Sequence, residues 1–168
     1  AEDSCGNNVS ERVEWSTAFG EVSAAGVYRA GCERGFYSGA VIATSDALRA
    51  PIDVTITDGE LQRVEIDPDP VTVPAGSVRN MQARLYDGCD NLVDGEVSWS
   101  LLNDAAGTIA EDGLFTAGTV AESFERILVA SSGDFQAQGS IEIVPATIDQ
   151  LEIVPSELRL QAGAAQQL

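Results

Sequence analysis

The chain repeats itself with a period of 84 to 87 residues, and this period sets the unit that must fold. Residues 3–16 return as residues 87–100, with Asp-x-Cys-x-Asn followed by Val-x-Trp-Ser in both copies. Residues 20–31 return as residues 107–118, with a glycine at each end and a Gly-apolar-aromatic triplet between them. The sequence therefore predicts a tandem array of one module.

A third repeated segment indicates where the modules begin. Residues 64–76 read Val-Glu-Ile-x-Pro and then Val-x-Val-Pro-Ala-Gly, and they return as residues 151–163, which read Leu-Glu-Ile-Val-Pro and then Leu-x-Leu-Gln-Ala-Gly. Because this segment opens the complete copy, we expect three parts. They are a module lacking its first strands (1–58), a complete module (59–147) and the first strands of a further module (148–168).

Short segments alternate apolar and polar side chains, which is typical of half-buried strands. The complete module has eight such segments, separated by Gly, Pro and Asp turns, and the longest runs from Val78 to Tyr86. No segment shows sustained helical periodicity. Strands at this spacing predict an all-β fold made of tandem β-sandwich modules.

One tryptophan per module lies in the middle of a predicted strand, Trp15 in the first copy and Trp99 in the second. A buried tryptophan on the third main strand is a core feature of immunoglobulin-like sandwiches. The alternative is a platform on which sugars stack, but repetition at one sandwich position favours the core. The aromatic pair Tyr28 and Phe115 is interpreted in the same way, so all four residues are predicted to be core.

The charge balance and the residue types exclude several function classes. The 168 residues carry 27 acidic and 9 basic side chains, a net charge of −18, and contain no Lys and no His. Such a surface repels nucleic acid and anionic membranes, and no apolar run approaches the length of a membrane span. Catalysis needs a poised base, nucleophile or metal, and without His or Lys few side chains can fill these roles. The glycines lie at turns and do not form a phosphate-binding loop. We expect no enzyme, no nucleic-acid partner and no membrane insertion in this segment.

Three cysteines give an odd count. Cys5 and Cys89 occupy the same repeat position, whereas Cys32 has Thr119 as its counterpart. Cys5 and Cys32 belong to one module and could form a disulfide in an oxidising compartment. Against that bond, the two residues are expected in loops at different ends of the module. The spacing excludes a zinc site, which needs paired Cys or His ligands.

Acidic residues crowd the turn after the third strand of the complete module, at Asp87, Asp90 and Asp94, and Asn91 adds a carbonyl oxygen. Ca²⁺ prefers six to eight oxygen ligands, so these residues form a candidate calcium site. The alternative is a turn in which the Asp and Asn side chains accept hydrogen bonds from their own backbone. No other cofactor is predicted.

The repeated motifs resemble the bacterial Ig-like domains of group 2, the modules of intimin-like and invasin-like adhesins and other bacterial surface proteins. The resemblance rests on Asp-x-Cys-x-Asn-x-Val, Val-x-Trp-Ser, the Gly-Val/Leu-Tyr/Phe triplet, and the Val-Glu-Ile-x-Pro opening. It implies an immunoglobulin-like β-sandwich, an extracellular setting at the bacterial cell surface and no catalytic residue. The cysteine in the turn departs from the common pattern.

Three functions are consistent with these observations. The first is a structural or adhesive module, a stalk or spacer whose partners are the neighbouring modules of the same protein. The second is a filament subunit in which the apolar pattern of one chain's tail (Leu151, Ile153, Leu158, Leu160) completes residues 1–58 of another by donor-strand complementation. The third is a module that binds carbohydrate or a host protein, which predicts an exposed aromatic patch.

Overall fold

The computed structural model of the chain describes residues 5–7, 13–148, 150, 152, 156–157 and 159–167. Within these residues the regular secondary structure consists of strands, and no helix occurs. The prediction of an all-β fold is confirmed. The described residues of the first copy form five strands: β1 (Glu14–Thr17), β2 (Glu21–Val22), β3 (Tyr28–Arg29), β4 (Gly35–Ser45) and β5 (Leu48–Ile56).

The second copy holds nine strands between residues 61 and 144. In chain order they are β6 (Leu61–Ile66), β7 (Val71–Pro74), β8 (Val78–Asn80), β9 (Ala83–Asp87), β10 (Ser98–Leu101), β11 (Gly107–Ile109), β12 (Leu114–Ala117), β13 (Ser123–Ser132) and β14 (Phe135–Val144). They form a four-stranded sheet of order β10-β13-β14-β7, a three-stranded sheet β11-β12-β8 and the pair β6-β9.

The strands of the first copy return in the second with the same neighbours. The order β1-β4-β5 corresponds to β10-β13-β14, and the hairpin β2-β3 corresponds to β11-β12. Within the part of the chain that the structure describes, the second copy also has the pair β6-β9, which has no counterpart in the first copy, and each of its other two sheets has one strand more. The additional strands are β7, which lies parallel to β14, and β8, which lies antiparallel to β12.

A glycine packed against the tryptophan is the clearest three-dimensional mark of the repeat. Gly26 has a φ of 80° and lies so close to Trp15 that a Cβ atom would be 2.9 Å from the indole. Gly113 has a φ of 91° and stands in the same relation to Trp99, with the same 2.9 Å approach. Only glycine adopts this backbone conformation without strain and leaves room for the ring. The two offsets found in the sequence therefore describe one structural unit.

The core of the second copy is built from alternating strand positions. On β7, Val71 and Val73 are buried and the residues between and after them are exposed. β13, which lies between β10 and β14, instead buries four successive residues, 127–130, so this part of the strand is covered on both faces. The largest fully buried side chains are Phe115, Leu128, Ile141, Val71 and Val73. Burial of each such side chain contributes about 1.5–3 kcal/mol.

The core prediction holds for the second copy and not for the first. Trp99 and Phe115 are buried, as predicted. Trp15 is predicted to be core in an intact first module. In the described first copy, Trp15 and Tyr28 are only partly buried, so neither lies in a closed core there. Among the described residues, the first copy has no strand on the outer side of β5 or of β3, where the second copy has β7 and β8. Without those strands the sheets that carry the two aromatic side chains stay open at one edge.

The long strand predicted from Val78 to Tyr86 is divided into two. β8 pairs with β12, whereas β9 pairs with β6 in a different sheet. Between them the Met81 N–H donates to the Gly113 carbonyl at 3.0 Å, and the Met81 side chain is buried. The alternation of apolar and polar residues continues across this change of sheet, so the sequence does not show that β8 ends and β9 begins there.

The chain divides into two compact units that differ from the two repeat copies. The first unit contains residues 1–65, 83–96 and 131–137, and the second contains residues 66–82, 97–130 and 138–168. Residues 83–96 carry Cys89, whose bond to Cys32 holds them in the first unit. The module boundaries derived from the repeat stay a prediction.

Candidate functional site

The first unit contains a disulfide between Cys32 and Cys89, 57 residues apart in sequence. Their Cα atoms are 5.3 Å apart, within the usual range for a disulfide. The predicted bond between Cys5 and Cys32 is therefore wrong, and Cys5 is an exposed residue outside this disulfide. The repeat could not predict this pairing. Cys5 and Cys89 occupy equivalent repeat positions, whereas Cys32, the partner of Cys89, has no equivalent cysteine.

The turn that carries Cys89 is organised by one buried carboxylate, that of Asp87. Only 4% of the Asp87 surface is exposed. Its Oδ1 accepts hydrogen bonds from the N–H groups of Cys89 at 2.8 Å and Asn91 at 2.9 Å. Its Oδ2 accepts from the Gly59 N–H at 2.9 Å and the Asn91 amide at 3.1 Å. Asp87 therefore joins the turn to the segment between the two repeat copies.

The same turn contacts Cys32 through a second polar interaction. The Asn91 Nδ2 group donates to the Cys32 carbonyl at 3.0 Å while it also donates to Asp87. The disulfide and this amide thus hold the same two pieces of chain together. The neighbouring Asp58 forms an ion pair with Arg34, so the segment between the copies is anchored at both Asp58 and Gly59.

Hydrogen bonds to its charged form lower the pKa of Asp87 from its ordinary value of 3.8 to about 2. The largest cause is the hydrogen bond from the Gly59 backbone N–H. Burial raises the pKa and opposes this effect, and further hydrogen bonds from Asn91 and Cys89 lower it again. The depressed pKa identifies this carboxylate as a group that stabilises the fold when it is ionised.

Acid should therefore weaken the first unit in a defined window. Because the folded-state pKa of Asp87 lies below the unfolded value, its contribution is complete above pH 3.8 and is lost as pH falls towards 2. We expect Asp87→Asn to lower stability at pH 7 and to flatten the decline between these two pH values. Urea unfolding followed by circular dichroism from pH 7 to pH 2 measures both effects.

Asp112→Asn is a suitable control, because Asp112 is an exposed acidic residue in a turn of the second unit. This change should leave the acid limb of the stability profile as it is in the parent chain. Equal profiles for Asp87→Asn and the parent would contradict the assigned role of Asp87.

The predicted calcium site is not formed in the part of the chain that the structure describes. Asp87 directs both oxygens to N–H donors, Asp90 pairs with Arg63 at 2.9 Å, and Asp94 is exposed. Among the described residues, no group of three or more His, Cys, Asp or Glu side chains is arranged to hold a metal ion. The alternative interpretation is the correct one, a turn whose Asp and Asn side chains bond its own backbone.

On the exposed side of this turn, Arg63 makes a cation–π contact, the only one among the described residues. Its guanidinium lies 4.1 Å from the centre of the Tyr86 ring and also pairs with Glu65. Hydrogen bonds to Asp90 and Glu65 raise the pKa of Arg63 above its ordinary value. The group stays charged throughout the physiological range and neutralises part of the acidic surface around the turn.

A shallow apolar groove lies on the open sheet of the first unit. It has a volume of about 330 Å³ and is lined by Val13, Trp15, Ala43, Thr44, Ser45, Leu48, Arg49 and Ala50. Trp15 lies opposite Ala43 on the neighbouring strand β4. The groove ends at β5, which pairs only with β4 among the described strands. This surface and the edge of β5 form the candidate interaction site of the chain.

Across the residues that the structure describes, no helix is long and apolar enough to cross a bilayer.

Comparisons with known proteins find similarity to one protein in sequence and to solved structures in fold. No family model matches the chain. Ice-binding protein 1 of Shewanella frigidimarina (strain NCIMB 400) is 28% identical over 152 residues, which cover 88% of this chain and 16% of that protein. Among solved structures, domains 4 and 5 of the S-layer protein SbsC align with a TM-score of 0.44 and 16% identity, covering 86% of this chain and 78% of that chain.

A second structure, domains 4–9 of the surface layer protein SbsC, gives a TM-score of 0.45 and 15% identity, covering 87% of this chain and 24% of that chain. This chain therefore spans less than a fifth of the named Shewanella relative.

Proposed function

We propose that the chain is part of a non-enzymatic repeat array in an extracellular bacterial surface protein, in which its modules serve as a stalk or spacer. The observation that carries the proposal is the structural repeat, in which β1–β5 return as β10–β14 with the same strand neighbours. Arrays of like modules gain length with each copy, and each module needs contacts only with its neighbours. A spacer requires this property and no reactive group.

Two further observations support an extracellular setting. Disulfides persist in oxidising compartments and are rare in the cytosol of most organisms, and Cys32 is bonded to Cys89. The net charge of −18 keeps an exposed array soluble and limits its association with nucleic acid and anionic membranes. The motifs shared with bacterial Ig-like domains of group 2 favour the same setting.

The use of the Asp87 carboxylate supports a structural role. This group has the most strongly shifted pKa described in the chain, and its oxygens accept four hydrogen bonds from neighbouring N–H groups. A carboxylate engaged in this way holds the backbone and has little capacity left for a substrate. The relative that is named as an ice-binding protein is spanned by this chain over 16% of its length.

Surface labelling of intact cells tests the proposal. An antibody raised against the chain should bind unpermeabilised cells of the source bacterium as strongly as permeabilised cells. A cytoplasmic protein of the same cells, labelled in parallel, should be detected only after permeabilisation. Labelling of the chain that requires permeabilisation would overturn the extracellular assignment.

A further inference from the structure

The disulfide between Cys32 and Cys89 joins the two repeat copies to each other. Cys32 lies in the first copy, between β3 and β4, and Cys89 lies in the second copy, in the turn after β9. The joint between the copies, residues 57–60, forms no strand. The two copies are therefore connected twice, once by the backbone of the joint and once by the two cysteine side chains.

Hydrogen bonds hold both ends of the disulfide in place in the folded chain. The Asn91 amide donates to the Cys32 carbonyl at 3.0 Å, and the Asp87 carboxylate accepts from the N–H of Gly59 in the joint at 2.9 Å. All of these residues belong to the first unit. The disulfide thus closes a contact that the fold makes already, and it can bear a load without any prior movement of the chain.

The position of the disulfide determines how tension passes along a stretched chain. Tension that enters through the first copy reaches Cys32, crosses the two sulfur atoms to Cys89 and continues through the second copy. The Cα atoms of the two cysteines are 5.3 Å apart. The 57 residues that separate them in sequence would span roughly 190–205 Å if they were fully extended. The disulfide therefore becomes taut long before the backbone that it bypasses.

The bypassed segment, residues 33–88, contains the joint and six complete strands. Cys32 precedes β4 and Cys89 follows β9, so the strands β4 to β9 all lie between them. Among them is β7, which forms the parallel edge of the four-stranded sheet, and β8, which covers β12. A pull on the oxidised chain cannot extend any of these strands, even after the surrounding structure has opened.

We propose that the disulfide between Cys32 and Cys89 is a mechanical clamp, which transmits tension past the joint between two modules and prevents the extension of residues 33–88. The proposal deepens the stalk or spacer role and rests on it for its use in the cell, because a stalk under load keeps its reach only if its joints do not lengthen. Pulling on the isolated chain measures the clamp, whereas surface labelling measures the location. Either result can therefore fail without the other.

The clamp is confined to one joint of the repeat and can be opened by a reductant. Thr119 takes the place of Cys32 in the second copy, so that copy has no cysteine at this position for a following module. Cys32 and Cys89 are both exposed, and a thiolate can therefore attack their bond. A dithiol supplies two electrons and two protons, the S–S bond breaks to give two thiols, and the dithiol itself closes to a disulfide.

Single-molecule pulling on the full chain, held by marker domains fused to both ends, tests the clamp. Without reductant, the total contour length of the parent should be roughly 190–205 Å shorter than that of a Cys32→Ser, Cys89→Ser double variant. Dithiothreitol should bring the parent to the length of the double variant. Contour length at full extension does not depend on stability, so a variant that folds poorly still gives a valid result. Equal lengths without reductant would overturn the proposal.

Cys5→Ser identifies the pair of cysteines that carries the load. This variant retains Cys32 and Cys89 and should be as short as the parent. A bond between Cys5 and Cys32 would instead shorten the chain by roughly 90–97 Å, and a bond between Cys5 and Cys89 by roughly 280–300 Å. Either of these values in the parent would assign the load to another pair and refute the clamp at this joint.

Two insertions distinguish the bypassed segment from the loaded part of the chain. About ten Gly and Ser residues are added after Thr57, inside the bypassed segment, or after Ala146, outside it, and neither position lies in a strand. In dithiothreitol each insertion should lengthen the chain by about 33–36 Å. Without reductant only the insertion after Ala146 should do so. An increase from the insertion after Thr57 in the oxidised chain would show that the joint bears tension, contrary to the proposal.

Discussion

Replacing Trp99 with alanine lowers the free energy of unfolding by about 3–5 kcal/mol, the usual cost of truncating a buried large aromatic side chain. Trp99 is 7% exposed, lies on β10 at the edge of the four-stranded sheet, and packs against the backbone of Gly113. Its removal leaves a cavity that the surrounding strands cannot close without breaking their ladders. Urea unfolding followed by far-ultraviolet circular dichroism measures the loss.

The repeat supplies a matched control in Trp15. This residue occupies the equivalent position and contacts Gly26 in the same way, but it is only partly buried on an open sheet. Trp15→Ala should therefore cost clearly less, roughly half as much or below, because less apolar surface returns to water. Equal losses for the two variants, or an unchanged stability for Trp99→Ala, would contradict the difference in packing between the two copies.

The strand content could be predicted from the sequence because it depends on local patterns. The alternation of apolar and polar residues, the turn glycines and the repeat offset together located the strands of the second copy. The offset of 84 residues relates Trp15 to Trp99 from the sequence alone. Where the local pattern continued through a change of sheet, between Asn80 and Ala83, the prediction missed the break.

The state of the first copy could not be predicted in the same way, since burial depends on strands that are distant in sequence. Trp15 and Tyr28 have the residue types and spacing of core positions. A local sequence pattern does not show which distant strands cover them. The described part of the first copy lacks counterparts of β7, β8 and the pair β6-β9, which the second copy has.

The chemistry of the turn at residues 87–91 was open to two interpretations for a related reason. Three carboxylates within eight residues are compatible with a cation or with hydrogen bonds to the backbone. What decides between them is the Gly59 N–H, which lies 28 residues away in sequence and donates to Asp87. No spacing rule predicts that donor, because it is brought to the turn by the fold.

Loss of the bond between Cys32 and Cys89 is the second large effect that we expect. The bond closes a loop of 57 residues, and a loop of this length restricts the unfolded chain by about 4 kcal/mol in the chain-entropy model. Cys32→Ser and Cys89→Ser should each lower the free energy of unfolding of the first unit by about that amount. Chemical reduction of the parent chain should have the same effect.

Cys5→Ser is the matched control, because Cys5 is exposed and lies outside this disulfide. That change should alter stability by less than about 0.5 kcal/mol. The double variant Cys32→Ser with Cys89→Ser should lose no more than either single variant, since one bond is removed in all three. A stability of Cys5→Ser as low as that of Cys89→Ser would indicate that Cys5 takes part in the disulfide instead.

The disulfide and the Asp87 carboxylate should depend on one another, because both fix the turn against the first unit. The carboxylate holds the Cys89 and Asn91 backbone, and the Asn91 amide donates to the Cys32 carbonyl. Once the bond is absent, Asp87→Asn should cost less than it does in the parent chain, with a coupling of about 0.5–3 kcal/mol for such neighbours. A double-mutant cycle with Cys89→Ser measures this coupling. Additive losses would mean that the two interactions stabilise separate parts of the unit, contrary to the hydrogen-bond network described for residues 87–91.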